Sequence, residues 1–116
     1  MRKHSALSRL KIALVADNLT TICLKHECRV MSVTPRNSAF VLGIWRPDVL
    51  FVESCWQGAG DAWRYKIASY PDRPERNNLA LHRLVDTARA KRIPAVFWNR
   101  EDGVHFDRFI ASARLF

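Results

Sequence analysis

The sequence predicts an α/β fold in which a parallel sheet of about four strands carries helices on both faces. Strand-like and helix-like segments alternate four times along the 116 residues, as expected when parallel strands are joined by right-handed helical crossovers. The strand-like segments are short, uninterrupted apolar runs, which are typical of strands covered on both faces. The order of the first elements favours a Rossmann-like sheet with the flavodoxin-like strand order 2-1-3-4, and the order 3-2-1-4 stays open.

Each element has its own local signal. Strands are expected where β-branched and aromatic residues concentrate, at 10–16, 29–33, 48–52 and 93–98. Helices are expected where caps precede helical spacing of apolar residues, at 20–27, from Asn37 or Ser38 to Trp45, after Asn77 or Asn78, and at 104–115 behind Asp102. The segment 93–98 is interpreted as a central strand, so Trp98 is expected to be largely buried.

Length and composition limit the chain to one small domain or part of one. We divide it into a basic tail at 1–9 and an α/β domain at 10–116. The 48% hydrophobic content fits a globular chain, and no apolar run approaches the ~20 residues that span a bilayer. Because no apolar signal core follows the basic N-terminus, the predicted location is cytoplasmic.

The charge and the cysteines exclude several classes of function. The net charge is +8, but the basic residues are scattered and show no aromatic–basic repeat, so nucleic acid is a disfavoured partner and a generally basic surface is expected. The three cysteines are odd in number and lack metal-type pairing, which argues against a disulfide framework or a zinc site. We expect buried reduced thiols, no metal and no cofactor in this chain.

Polar residues follow the predicted strands at the end where open α/β sheets bind ligands. Asp17 ends the first strand, Glu53 and Ser54 end the third, and residues 99–102 follow the fourth. Parallel strands bring these positions to one edge of the sheet. A carboxylate there could take a proton from a hydroxyl group or bind the hydroxyls of a sugar.

Structural interpretations of the same residues stay open. Asp17 is also a good turn or cap residue, and Asp102 a good helix cap. Glu53 could form a structural salt bridge, for example with Arg64, and Glu101 could be an ordinary turn residue.

A histidine and a long aromatic loop complete the candidate site. His105 falls in the first turn of the last predicted helix, where the helix dipole favours the neutral imidazole. The connection 54–76 is long and contains Trp56, Trp63 and Tyr65, so disorder is disfavoured. These rings could stack on sugars or pack the loop onto the sheet.

Two blocks of sequence carry a resemblance to a known family. The first runs from Phe97 to Asp102 and continues with Val104–His105–Phe106–Asp107; the second is 47–54 with Trp56–Gln57–Gly58 and 63–67. Their order and spacing resemble the N-terminal domain of the CgeB-type spore-maturation proteins, which are glycosyltransferase-like with a GT-B architecture. The resemblance covers roughly residues 10–116 and is weak at 17–46.

The resemblance implies a function shared with a second domain. It makes the chain a truncated GT-B N-terminal domain that holds a sugar or glycan acceptor, while a C-terminal domain missing here binds the nucleotide-sugar without a metal. The chain alone would then be inactive. The candidate catalytic residues are Glu53, Glu101 and His105, and the candidate substrate-binding residues are Asp17, Trp56, Trp63, Arg64 and Asn99. The alternative is a receiver-like or other small α/β interaction module without catalysis.

Overall fold

The computed structural model describes residues 5–101 and 103–116, and it contains four strands and five α-helices in these ranges. The strands are Lys11–Val15 (β1), Arg29–Ser32 (β2), Val49–Glu53 (β3) and Ala95–Trp98 (β4). The α-helices are Ser5–Arg9 (α1), Asn18–Lys25 (α2), Ser38–Phe40 (α3), Leu79–Ala90 (α4) and Ile110–Ala113 (α5). Single helical turns of other types are Val41–Trp45 (π), Ala59–Asp61 and Phe106–Arg108 (both 3₁₀).

All strand pairs in the sheet are parallel, and the strand order is β2-β1-β3-β4. This confirms the predicted fold class and the predicted 2-1-3-4 order. Ile12 of β1 pairs with Val30 on one side and with Val49 on the other, and Leu50 of β3 pairs with Ala95. The carboxyl ends of β1, β3 and β4 therefore meet at one edge of the sheet.

Alternate residues of the strands supply two separate cores. On one face, Ala13 and Val15 join the main cluster, to which α4 contributes its predicted apolar stripe, Leu81, Leu84, Val85 and Ala88. On the other face, Ile12 and Leu14 form a smaller cluster with Leu24 of α2. Helices therefore lie on both faces, as predicted, but the second face is covered mainly by α2.

The prediction of a central, fully covered fourth strand is wrong. The strand β4 lies at the edge of the sheet and has β3 as its neighbour. Val96 and Trp98 are each 44% exposed, so Trp98 is not largely buried; its ring meets the ring of Phe51 edge-on, with 5.7 Å between centroids. A continuous apolar run does not reveal how many neighbours its strand has, which explains the error.

The helices differ from their predicted bounds in three places. Residues Ser5–Arg9, predicted as tail, form α1, and α2 begins at Asn18, two residues early, because Asp17 caps it. The second predicted helix changes from α3 to the π turn Val41–Trp45, and the cap that follows it, Arg46, has a left-handed φ of 56°. The last predicted helix is broken into a 3₁₀ turn and α5; its predicted cap, Asp102, lies outside the described residues.

The connection between β3 and α4 is ordered by packing rather than by long helices. Trp63, Ile67 and Ala68 are buried in the main core. Gly58 has a left-handed φ of 73°, and a Cβ at this position would lie 3.3 Å from the Trp63 side chain, so glycine is required for this close approach. Within the described residues, the structure has no helix of the length and apolar character needed to cross a membrane.

Candidate functional site

A cleft opens at the carboxyl ends of β1, β3 and β4, where the sequence predicts a site. Its volume is about 610 Å³. It is lined by Asp17, Asn18, Glu53, Ser54, Cys55, Trp56, Gln57, Gly58, Gly60, Asp61, Arg100 and Glu101. The structure thus brings together Asp17, Glu53, Trp56 and Glu101 of the predicted site residues.

Asp17 serves the fold and the cleft at once. One carboxylate oxygen, Oδ1, accepts the backbone N–H of Thr20 at 3.0 Å and caps α2, which is the structural role considered for it from the sequence. The other oxygen, Oδ2, lies 3.3 Å from a guanidinium nitrogen of Arg100. The Asp17 side chain remains 49% exposed, so it can still meet a ligand in the cleft.

Glu53 is a buried carboxylate whose two oxygens are both occupied. It is 1% exposed. Its Oε2 accepts the backbone N–H of Asp17 at 3.1 Å, and its Oε1 accepts the hydroxyl of Thr20 and a guanidinium N–H of Arg100 at 3.2 Å. The salt-bridge interpretation of Glu53 is correct in kind, but the partner is Arg100 and not Arg64. Glu53 therefore fixes the first and fourth strand ends against the third.

Arg100 is the residue at the centre of this site that the sequence prediction did not select. Its guanidinium donates hydrogen bonds to Asp17, Thr20 and Glu53. Its backbone N–H donates a hydrogen bond to the Ser54 hydroxyl at 2.7 Å. The hydrogen bond to Glu53 and the negative charge of Glu53 raise the pKa of Arg100, so the guanidinium stays charged. Its position two residues after β4, beside the end of β3, was the available signal.

The charge of the cleft is opposite to that of the chain. Asp17, Glu53, Asp61 and Glu101 line it together with a single basic side chain, Arg100, although the protein as a whole carries +8. Carboxylates accept hydrogen bonds from hydroxyl and ammonium groups. The cleft therefore suits a ligand rich in hydrogen-bond donors.

The turn after β4 is held by two reciprocal hydrogen bonds. The Asn99 side chain accepts the backbone N–H of Glu101 at 3.0 Å and donates to the Glu101 carbonyl at 3.2 Å. Asn99 thus shapes the turn, whereas the half-buried Glu101 lines the cleft. Among the described residues, no hydrogen-bond donor engages the Glu101 carboxylate.

The remaining predicted residues lie in three different surroundings. Trp63 is 1% exposed and donates its indole N–H to the Val33 carbonyl at 2.8 Å, so it packs the loop onto the core. Arg64 is exposed and is not a lining residue of the cleft. His105 is also exposed, outside the cleft lining, and its ring lies 6.3 Å from that of Trp56 at the cleft wall.

Cys55 lines the cleft as a buried thiol. Burial raises its pKa to about 12, and the charges of Glu53 and Asp17 act in the same direction. Cys28 is half-buried, and Cys23 is exposed, contrary to the expectation that all three thiols are buried.

We expect the Cys55 thiol to stay unalkylated by iodoacetamide at pH 8 while the Cys23 thiol reacts, because only the thiolate attacks. Since the folded pKa exceeds the unfolded one, the Cys55 contribution to stability is complete below pH 9 and is lost as the pH rises toward 12. The loss is about 1.4 kcal/mol per pH unit within that window. Peptide mapping measures which cysteines are alkylated. Denaturation at a series of pH values measures the change in stability, and a Cys55→Ala variant should lack this dependence on pH. Rapid alkylation of Cys55 in the folded protein would contradict the assignment.

In the part of the chain that the structure describes, no three His, Cys, Asp or Glu side chains are grouped as metal ligands. Comparisons with protein-family models, with curated proteins and with solved structures gave no match.

Proposed function

We propose that the cleft binds a sugar or glycan acceptor, and that the chain is the acceptor-side domain of a GT-B-type glycosyltransferase-like protein related to the CgeB-type family. The observation that carries the proposal is the concentration of carboxylates around one cleft of a basic chain. Carboxylates at a strand-end cleft are suited to the many hydroxyl donors of a sugar. Trp56 at the wall offers an apolar ring surface beside them.

The residues of the cleft divide into two roles in this proposal. Glu101, which lines the cleft, and Asp17, whose side chain is 49% exposed, accept hydrogen bonds from the acceptor. Both oxygens of Glu53 already accept hydrogen bonds, so its role in this proposal is to position Arg100. In the transfer step, the oxygen of the acceptor hydroxyl forms a bond to the anomeric carbon of the donor sugar. Glu101 accepts the proton that this hydroxyl loses. The nucleotide leaves with the electron pair of the broken bond, and the donor is held by a second domain.

A non-catalytic module with receiver-like architecture is the alternative that the strand order also permits. Phosphotransfer would require an accessible aspartate at the end of β3. That position holds Glu53, which is 1% exposed and bonded on both oxygens. The alternative is therefore a passive binding module, and it predicts that no sugar contacts the cleft.

We expect neutral oligosaccharides to shift the backbone amide NMR signals of Gly58, Gly60 and Glu101, which line the cleft. A Glu101→Gln variant should bind about tenfold more weakly, because it loses a charge-assisted hydrogen bond. Its melting temperature should stay within a degree or two of the parent, since Glu101 is not bonded through its carboxylate to any described residue. Titration by NMR or calorimetry measures both effects.

The matched control is Glu75→Gln, which removes the same charge from an exposed residue that does not line the cleft. Its affinity for sugars should equal that of the parent. The proposal fails if no sugar in a broad panel shifts the cleft amides, or if Glu101→Gln binds as well as the parent. Nucleotide-sugars are tested in the same way. If this chain binds a nucleotide-sugar with micromolar affinity, the assignment of the donor to another domain is contradicted.

A further inference from the structure

A row of alternating arginine and aromatic side chains leads away from the cleft. It combines residues from the long connection after β3 with one residue from the 3₁₀ turn before α5, which the sequence separates. We call it the arginine–aromatic row, and its members in spatial order are Trp56, Arg108, Tyr70, Arg76, Tyr65 and Arg64.

The inner end of the row is anchored at the cleft. Trp56 is a lining residue of the cleft, and the Arg108 guanidinium carbon lies 5.2 Å from the centroid of its ring. The same carbon is 4.9 Å from the ring of Tyr70, and Arg108 Nε donates to the Ser69 carbonyl. Arg108 is thereby fixed between two aromatic rings.

The outer end of the row repeats this arrangement and finishes at the exposed Arg64. The Arg76 guanidinium carbon lies 3.7 Å from the Tyr65 ring and 5.6 Å from the Tyr70 ring. Arg64 lies 4.8 Å from the Tyr65 ring, and the two tyrosine rings meet edge-on at 5.4 Å. Tyr65 has a left-handed φ of 63°, so its ring is held in place at a cost in backbone energy.

Stacking on a ring leaves the N–H edge of a guanidinium available to an oxyanion. Among the described residues, no protein acceptor forms a hydrogen bond or an ion pair with the guanidinium group of Arg64 or of Arg76. A planar guanidinium held by an aromatic face is suited to bidentate binding of carboxylate or phosphate. Outside the cleft, the exposed Asp72 lines a depression together with Tyr70 and Arg108, and Glu75 pairs with Arg73 at 3.8 Å. The row thus keeps its positive charge.

We propose that the arginine–aromatic row binds the oxyanion groups of an acidic glycan whose sugar chain begins in the cleft. This inference rests on the proposed function, and it specifies the acceptor as a carbohydrate that bears carboxylate or phosphate groups. Sugar hydroxyls meet the carboxylates of the cleft, and successive anionic groups meet Arg108, Arg76 and Arg64 outside it. Because the cleft is acidic and the row is basic, their opposite charges set the direction in which the glycan lies across the protein.

Single-stranded nucleic acid fits the row less well. Such ligands stack their bases on open aromatic faces. Here guanidinium groups already cover the tyrosine rings, most closely at the 3.7 Å contact between Arg76 and Tyr65. A base would have to displace the arginine that should bind its phosphate.

The experiment compares matched charged and neutral ligands by calorimetry at low ionic strength. Trigalacturonate and a phosphate ester of maltotriose are the charged probes, galactotriose and maltotriose the neutral ones, and a uridine oligonucleotide is the competitor. The charged member of at least one pair should bind the parent at least fivefold more tightly than its neutral partner. Arg76→Gln and Arg64→Gln should each remove most of this difference, and Arg76→Lys should restore only part of it. Arg29→Gln, which removes the same charge at the β2 edge, is the control.

The outcomes separate this inference from the function on which it rests. If charged and neutral sugars bind equally, and Glu101→Gln weakens both, the cleft proposal stands and the row proposal is overturned. If charged sugars bind through Arg76 and Arg64 while Glu101→Gln changes nothing, the row is supported and the acceptor cleft is not. Tighter, Arg76-dependent binding of the oligonucleotide overturns the row as a glycan site. The exposed Arg64 variant keeps the test valid even if Arg76→Gln disturbs folding.

Discussion

Replacing Trp63 with alanine is expected to lower the free energy of unfolding by about 3–5 kcal/mol, the usual range for a large buried aromatic side chain. The ring is 1% exposed, and its indole N–H donates to the Val33 carbonyl. The substitution therefore opens a cavity in the main core and also leaves a backbone carbonyl without its partner. Urea denaturation followed by circular dichroism measures the change without relying on tryptophan fluorescence.

Trp98→Ala is the matched control because it removes the same side chain from the edge strand β4. Trp98 is 44% exposed and packs against Phe51, so the expected loss is about 1 kcal/mol. A Trp63→Phe variant keeps most of the ring and should fall between the two. If Trp63→Ala and Trp98→Ala lower the free energy of unfolding equally, the burial of Trp63 and the exposure of Trp98 are contradicted.

Removing Glu53 is the second large effect. Glu53→Ala should destabilise the fold by about 3–5 kcal/mol, because it removes a buried carboxylate and leaves its hydrogen-bond donors without their acceptor. The backbone N–H of Asp17, the hydroxyl of Thr20 and the guanidinium of Arg100 all depend on this carboxylate. Chemical denaturation at pH 7 measures the loss. The exposed Glu75→Ala change should stay within about 0.5 kcal/mol of the parent.

A double-mutant cycle shows whether Arg100 acts through Glu53. Arg100→Ala alone should destabilise the fold less than Glu53→Ala, because the guanidinium is 38% exposed and partly screened by solvent. In the Glu53→Ala background the same change should cost less than it does in the parent, since only the contacts of the guanidinium with Asp17 and Thr20 remain to be lost. Additive losses would mean that the contact between the two side chains contributes no coupling.

The topology could be predicted because each of its causes is local or general. Alternating apolar runs and helical stripes, such as the one on α4, are readable in the sequence, and the handedness of crossovers limits the strand orders. The convergence of Asp17, Glu53 and the residues after β4 follows from parallel strands alone. These predictions needed no knowledge of a particular side-chain contact.

The remaining features depend on contacts that no local pattern encodes. The apolar run of β4 is the same whether the strand is central or at the edge, so the exposure of Trp98 was missed. Trp63 lies in a connection without periodicity, and nothing in its neighbours indicates a bond to Val33. Arg100 could have been preferred to Arg64 as the partner of Glu53, because it follows the strand that lies next to β3.

The hydrogen-bonded group around Glu53 also affects how the chain folds. Its bonds join residues that are 36, 47 and 83 positions apart in the sequence. Loops of this length must close before any of the bonds can form, and proteins dominated by such non-local pairings fold slowly for their size. During synthesis, Glu53 emerges well before Arg100, so the nascent chain holds this carboxylate without its counter-charge. The sheet therefore cannot form completely until β4 and Arg100 have been synthesised.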